Sequence, residues 1–385
     1  MTARRRRLLF VGLATVDLVQ RVQRLPGTDE KVQSDSVDVA AGGPAANAAV
    51  TAAALSASLE RTLGPEHGFE VTLVTAVGAH PLGDLIRADL AAHGVTVIDA
   101  TPEASEPPPV SAVTVLASTG ERTIVSRNAG TRAVPPPEEG LPAADLTLVD
   151  GHHPALALAA ARSANRLLVD AGSWRPVFAD IFPYAEVVAC SGDFRHPAAE
   201  VLDGRTAAGT SADPAPTAPA PTAPAIASPA PTDSAPSGPA PTDSAQHDAA
   251  TASAIAAPHV VITHGAAPVR WFSRPEPKDT ASPAGAGRRA ETGGRGGTGG
   301  RGGTGGRGGT GGRGGTGQHV TAGEVAVPPV TAVDTAGAGD AFHGALAVAL
   351  VLGDHDLPAA IAYAARIAAI RVSHAGPRAW LSHLP

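Results

Sequence analysis

Near the C-terminal end of the sequence, the run VDTAGAGDAFHGALAVALVLG from Val333 joins two glycines, a carboxylate and a helix-compatible aliphatic stretch. Gly337 and Gly339 present no side chain to an approaching group. The amides of Ala336, Gly337, Ala338 and Gly339 stand where the predicted helix begins, and free amides at a helix N-terminus converge on anions. This turn can therefore cradle a phosphate. Asp340 follows at once, where a carboxylate either caps the helix or accepts a proton from a hydroxyl brought to that phosphate. Glycine turns before helices are common, so the segment alone does not decide between the two.

Other residues give it company. Asp17 follows an early apolar run, and GGPAANAAV from Gly42 places two glycines five and four residues before Asn47. Phosphoryl transfer needs an oriented hydroxyl, an acceptor for its proton and positive groups around the moving phosphate. Asp340 suits the proton acceptor without a high pKa, because an alcohol can lose its proton late. Arg122, Arg175 and Lys31 are candidate cations for a phosphate or an anionic acceptor, and each reads equally as a solvated side chain. Asp17 can also simply close a turn.

The elements that must position these residues follow from hydrophobic patterning. LLFVGLA from Leu8 to Ala14 reads as a first strand buried on both faces and ending near Asp17. A small-residue helix follows Gly42, a strand covers Val71 to Gly78, and a helix carrying Leu82, Leu85 and Leu90 stops at Gly94. Val110 to Leu116 and Arg122 to Ser126 read as a hairpin, a flap outside the main layer. Aliphatic runs recur at Leu146 to Val149, Arg166 to Val169, Val187 to Ala189 and Val260 to Thr263, with helix-compatible segments between several of them. This alternation predicts an α/β fold of three layers with a mostly parallel central sheet.

The chain has 385 residues, 43% of them hydrophobic, but two stretches have little to bury. Residues 207–252 carry PAPT repeats and read as an extended solvated linker. Residues 275–317 carry GGRGGT repeats, whose glycine density opposes autonomous folding. The remainder predicts one domain spanning residues 1–385 around the two inserts. A net charge of -7 gives no general pull toward nucleic acid or an anionic membrane. Cys190 is the single cysteine, which excludes an intrachain disulfide. Arg4 to Arg7 before Leu8 resemble the start of a signal peptide, but Asp17 cuts the apolar run short and no small-residue cleavage site follows. Ala341 to Leu352 is too short to span a bilayer. A cytoplasmic protein without membrane partners is expected.

With these motifs in place, the sequence resembles the PfkB, or ribokinase-like, family of carbohydrate kinases over nearly its whole length outside the inserts. DTAGAGDAF from Asp334 resembles the family's C-terminal signature and GGPAAN from Gly42 its N-terminal glycine-rich motif. The resemblance implies an αβα sandwich with a small β-sheet lid that includes 110–126. It also implies ATP as phosphate donor, with Mg2+ and, as a further candidate, a monovalent cation. Asp340 then corresponds to the catalytic base, and Ala336, Gly337, Ala338 and Gly339 to the anion hole. Asp17, Gly43 and Asn47 correspond to residues that hold acceptor hydroxyls. Thr263 and Gly265 in VVITHGAAP correspond to a TxG element beside the nucleotide, and Asp334 to a residue ordering the nucleotide or metal region. A homodimer is also open.

Two departures matter. His80 replaces the usual acid in GAHPLG, where a plain loop histidine is the simpler reading. ACSGDF replaces the NxxE signal that helps organise magnesium: Ser191 stands in the asparagine's place, Phe194 falls where the acid would be, and Asp193 is the candidate substitute. GGPAAN and FHGALA look closest to ketohexose-type and sulfosugar-type members. The nearest rival reading is an adenosine-type nucleoside kinase, disfavoured by two tyrosines and seven phenylalanines as material for a base shelf. RNA or single-stranded DNA binding through the GGRGGT tract is a more distant alternative, because that tract lacks interleaved aromatics.

Overall fold

A computed structural model of the chain describes residues 4–130, 133–202, 241–275, 320–353 and 356–385. The first part of the chain forms β1 (Arg6–Val11), β2 (Thr15–Val22), β3 (Ser36–Gly42), α1 (Pro44–Leu63), β4 (Phe69–Thr75), α2 (Pro81–Ala92) and β5 (Thr96–Asp99). The hairpin β6 (Val110–Leu116) and β7 (Arg122–Ser126) follows, then β8 (Leu146–Val149), α3 (Pro154–Ser163), β9 (Leu167–Ala171), α4 (Phe178–Ile181), β10 (Val187–Ser191) and α5 (Pro197–Leu202). The remaining elements are α6 (Pro241–Ala254), β11 (His259–His264), β12 (Ala267–Ser273), β13 (Thr321–Val325), α7 (Ala338–Leu352) and α8 (Leu357–Val372).

The main sheet runs β13-β12-β11-β10-β9-β8-β1-β4-β5, and every pairing from β11 to β5 is parallel. Only β12 and β13 join antiparallel at one edge. The strand alternation shows why three layers form. Leu8 and Phe10 of β1 enter one core with α1, α7 and α8, while Leu9 and Val11 enter the other with α3, α4 and the end of α6. The expected αβα sandwich is what the chain adopts.

A second sheet of order β3-β2-β6-β7 forms the lid. The hairpin at 110–126 is half of it; β2 and β3 are the other half. The expected single strand running toward Asp17 is therefore corrected: β1 stops at Val11, and Asp17 lies inside β2, paired with Ala40 and Ser111. Gly12 makes the break. A Cβ there would collide with the buried carboxylate of Asp150, which accepts from the amide of Leu13 at 2.8 Å.

A further correction concerns the first insert. Its residues up to 240 and the second insert from 276 lie outside the described residues, but 241–252 are helical rather than extended. Buried Asp248 of α6 binds Arg270 of β12 at 2.7 Å and His264 of β11 at 2.9 Å, and Ala252 packs into the second core. Among the described residues no helix is long and apolar enough to cross a membrane.

Candidate active site

The C-terminal ends of the parallel strands and the lid enclose a cleft of about 1130 Å³. The start of α7 forms part of its floor. Gly337 precedes that helix at φ +69°, a left-handed conformation that costs a glycine little. The turn is fixed from behind by Asp334, whose buried carboxylate accepts from the amides of Ala336 at 3.0 Å and Gly376 at 3.1 Å. Arg371 of α8 and Arg21 of β2 lie 3.4 and 3.6 Å from the same carboxylate. Its oxygens are spent on the loop, so Asp334 shapes the amides of Ala336 to Gly339 from beneath.

Asp340 sits one residue beyond those amides. Asn47 donates Nδ2–H to its carboxylate at 2.8 Å across 293 residues of sequence. Gly344 lets this happen: a Cβ there would strike the carbonyl of Ala48, so its absence allows α7 to lie close against α1. Arg378 donates to Asn47 Oδ1 at 3.2 Å and is itself held by Asp89 at 2.8 Å, which orients the amide. Burial, together with the nearby Asp170 carboxylate, pushes the Asp340 pKa up to about 6. If Asp340 serves as the base that the sequence suggests, it must be ionised, and kcat/KM should fall about tenfold per pH unit below about pH 6. A flat rate from pH 7 down to pH 5 would contradict this.

Asp17 faces the cleft from the lid sheet, with Thr15 Oγ1 donating to it at 2.6 Å. Burial raises its pKa, opposed by hydrogen bonds from Thr15 and Ser111 and by the charge of Arg378. Gly42 must be glycine here, because a Cβ would occupy the Asp17 carboxylate's place. Gly43, at φ +94°, has no room for a Cβ beside the Leu13 carbonyl.

The lid sheet closes directly on the turn that opens α7. Arg122 donates to the Thr335 carbonyl at 2.9 Å, Thr335 Oγ1 donates to the Gly120 carbonyl at 3.0 Å, and Arg21 donates to the Val333 carbonyl at 3.2 Å. No carboxylate neutralises Arg122 among the described residues. Its guanidinium acts on Asp340 through space and faces the same cleft. Arg122→Ala should cut kcat by about 10- to 100-fold in a steady-state assay, the order expected for one lost transition-state donor.

One cleft thus gathers Asp17, Gly43, Asn47, Arg122, Asp334, Ala336 to Asp340, Thr263 and Gly265. Other expectations do not join it. Lys31 is exposed on the connection between β2 and β3, and Asp193 is exposed after β10; neither lines the cleft. His80 caps α2, accepting from the Leu82 amide at 3.1 Å. Arg175 pairs with His152. Phe194 is buried in an aromatic cluster with Trp174, Phe178 and Phe182, which leaves no place for an acid at that position. Sequence reasoning missed Asp170, His343, Arg371 and Arg378, all of which line the cleft.

The sequence model of the pfkB family carbohydrate kinases matches residues 5–191 and 308–383, more than half of the chain. The chain belongs to the PfkB family of carbohydrate kinases. It is a phosphotransferase acting on a small-molecule acceptor. Solved PfkB-like folds agree with its architecture. A putative ribokinase from Agrobacterium tumefaciens is 22% identical with a TM-score of 0.61, covering 98% of this chain and 94% of that one. A ribokinase from Thermotoga maritima is 19% identical with a TM-score of 0.58, covering 99% and 96%. A fructokinase with bound ATP from Xylella fastidiosa is 17% identical with a TM-score of 0.53, covering 98% and 95%. No curated protein sequence matches the chain.

Proposed function

We propose that this PfkB protein transfers the γ-phosphate of ATP to a hydroxyl of a neutral sugar. The observation that carries the reading is the half-buried carboxylate of Asp340, fixed by Asn47 at 2.8 Å beside the amides that open α7 and beneath a lid. An alcohol placed against Asp340 gives up its proton as its oxygen meets the phosphorus, while the amides of Ala336 to Gly339 and the Arg122 guanidinium take the charge on the equatorial oxygens. Lid closure through Arg21, Gly120 and Arg122 excludes water that would otherwise compete for the phosphate.

The acceptor end of the cleft carries Thr15, Asp17, Asn47, Ser111, Ser126 and Asn128. Such hydroxyls, amides and a carboxylate suit a polyhydroxylated molecule. Its described cations have other partners in this reading: Arg378 bonds Asp89 and Asn47, Arg371 lies beside Asp334, and Arg122, bonded to Thr335, faces the transferred phosphate. Lys31 stands outside. This favours a neutral ketose or pentose over a phosphorylated or sulfonated sugar. The nucleotide would extend toward Thr263, Gly265 and the apolar wall of Val327, Val330 and Val372. Among the described residues no group of three or more His, Cys, Asp or Glu is arranged to hold a metal. Magnesium is commonly held by one or two carboxylates plus phosphates. Asp170 and Asp340 are the cleft carboxylates nearest α7 that could hold it, and it would supply charge neutralisation at the transferred phosphate.

An ADP-release screen with fructose, ribose, adenosine and fructose 6-phosphate checks the reading. ATP-dependent turnover of a neutral sugar at least tenfold above the other two classes, on the scale of one lost polar contact, is the expected result. Preference for adenosine or the phosphosugar would overturn the acceptor class.

A further inference from the structure

Loss of the acid at Phe194 leaves open which carboxylate serves the nucleotide's cation, and Asp193 is exposed outside the cleft. Asp170 has the opposite surroundings. It closes the C-terminal end of β9, the strand beside β10, and pairs in register with Ala189 just before Ser191. Its residue is 6% exposed and lines the cleft. An ionised carboxylate has about four acceptor sites. Among the described residues no backbone amide or hydroxyl donates to Asp170; His343 Nδ1 lies 3.0 Å from it, and Arg175 acts on it through space.

His343 is equally unusual. It lies one turn beyond Asp340 on α7, so the two side chains share a face. It is 6% exposed, and neither ring nitrogen has a hydrogen-bond partner; Nδ1 is close to Asp170 but off the line of a hydrogen bond. One buried imidazole thus stands beside the Asp170 carboxylate without a well-aligned hydrogen bond. A buried arrangement of this kind is costly unless a ligand completes it.

We propose that Asp170 is the carboxylate that holds the divalent cation of the nucleotide, directly or through its water ligands, in place of an acid after β10. Magnesium keeps several waters and takes one or two carboxylates beside substrate phosphates, which matches a single unsaturated carboxylate one helical turn from the phosphate turn. The assignment rests on the phosphotransferase reading above.

The test is calorimetric binding of ADP to the full chain, with EDTA and with saturating Mg2+, backed by electron paramagnetic resonance of Mn2+ added with ADP. In the wild type the metal should tighten ADP binding about tenfold or more. In Asp170→Asn and Asp170→Ser that gain should shrink to about twofold and the bound-Mn2+ signal should weaken, while ADP affinity in EDTA stays near wild type. Asp193→Asn should keep the full gain. Retention of the gain in both Asp170 variants would overturn the assignment and leave Asp170 as a partner of His343 alone. Loss of the gain in Asp193→Asn, or of metal-free ADP binding in both Asp170 variants, would also overturn it. A wild type that binds ADP without any metal effect would overturn the assignment while sparing the kinase reading; a wild type that binds no ADP would remove both.

Discussion

Asp340→Asn should lower kcat by about 10²- to 10⁴-fold while leaving the KM for ATP within about threefold, the range expected when a positioned general base is lost. The substitution keeps the size of the side chain, and the amide can still meet Asn47 at the 2.8 Å contact after a rotation. The amides of Ala336 to Gly339 are untouched, so nucleotide binding should persist. Stability should move the other way. The Asp340 pKa is raised from 3.8 to about 6, so its protonated form is the one the fold favours. That favourable contribution is fully present below pH 3.8 and is lost as pH rises through about 6. Asparagine avoids the buried charge, so the variant's melting temperature should exceed that of the wild type at pH 8, and the difference should narrow toward pH 4. A variant that is inactive and also less stable at pH 8 would point to a structural role instead.

The second large effect is expected at the acceptor end. Asp17→Ala should reduce kcat/KM for the sugar by about 10- to 100-fold, the equivalent of about 1.5–3 kcal/mol for a hydrogen bond to a charged group. The KM for ATP should change little, because Asp17 belongs to the lid sheet rather than to the phosphate turn. Gly42→Ala provides an independent version of the same test. Its new Cβ would displace the Asp17 carboxylate without removing it, so it should reproduce the acceptor defect. Acceptor kinetics unchanged in both variants would place the sugar elsewhere in the cleft.

How far the sequence revealed this arrangement depends on the range over which each signal acts. The main sheet was legible because β8, β9, β10 and β11 are short, mainly aliphatic runs with helical segments between several of them. The turn that opens α7 was legible because its glycines, its aspartate and its helix are contiguous. The lid was half legible: β6 and β7 are joined by a visible turn, whereas β1 and β2 read as one apolar run whose break at Gly12 is imposed by Asp150, 138 residues later. The helix α6 was concealed by the composition of the insert before it. Its local signal was the absence of proline between Pro241 and Pro258, and its stabilising contacts to Arg270 and His264 are tertiary.

The same distinction holds within the site. Asp17, Asn47 and Asp340 carry motif neighbours, but the bond from Asn47 to Asp340 and the chain Asp89–Arg378–Asn47 join residues hundreds of positions apart. Nothing local marks Arg378. Asp170 ends an ordinary strand, and His343 falls within an apolar helix where a buried histidine has no sequence signature. Asp193 was the natural local substitute for a missing acid; the turn after β10 instead points it to solvent and buries Phe194 among aromatics.

The most direct measurement is a structure of the protein with its sugar acceptor and a non-hydrolysable ATP analogue in the closed form. The account predicts one acceptor hydroxyl about 2.6–3.2 Å from an Asp340 oxygen, with the terminal phosphate on the amides of Ala336 to Gly339. An acceptor whose hydroxyls all lie beyond reach of Asp340, or a terminal phosphate held away from that turn, would contradict it.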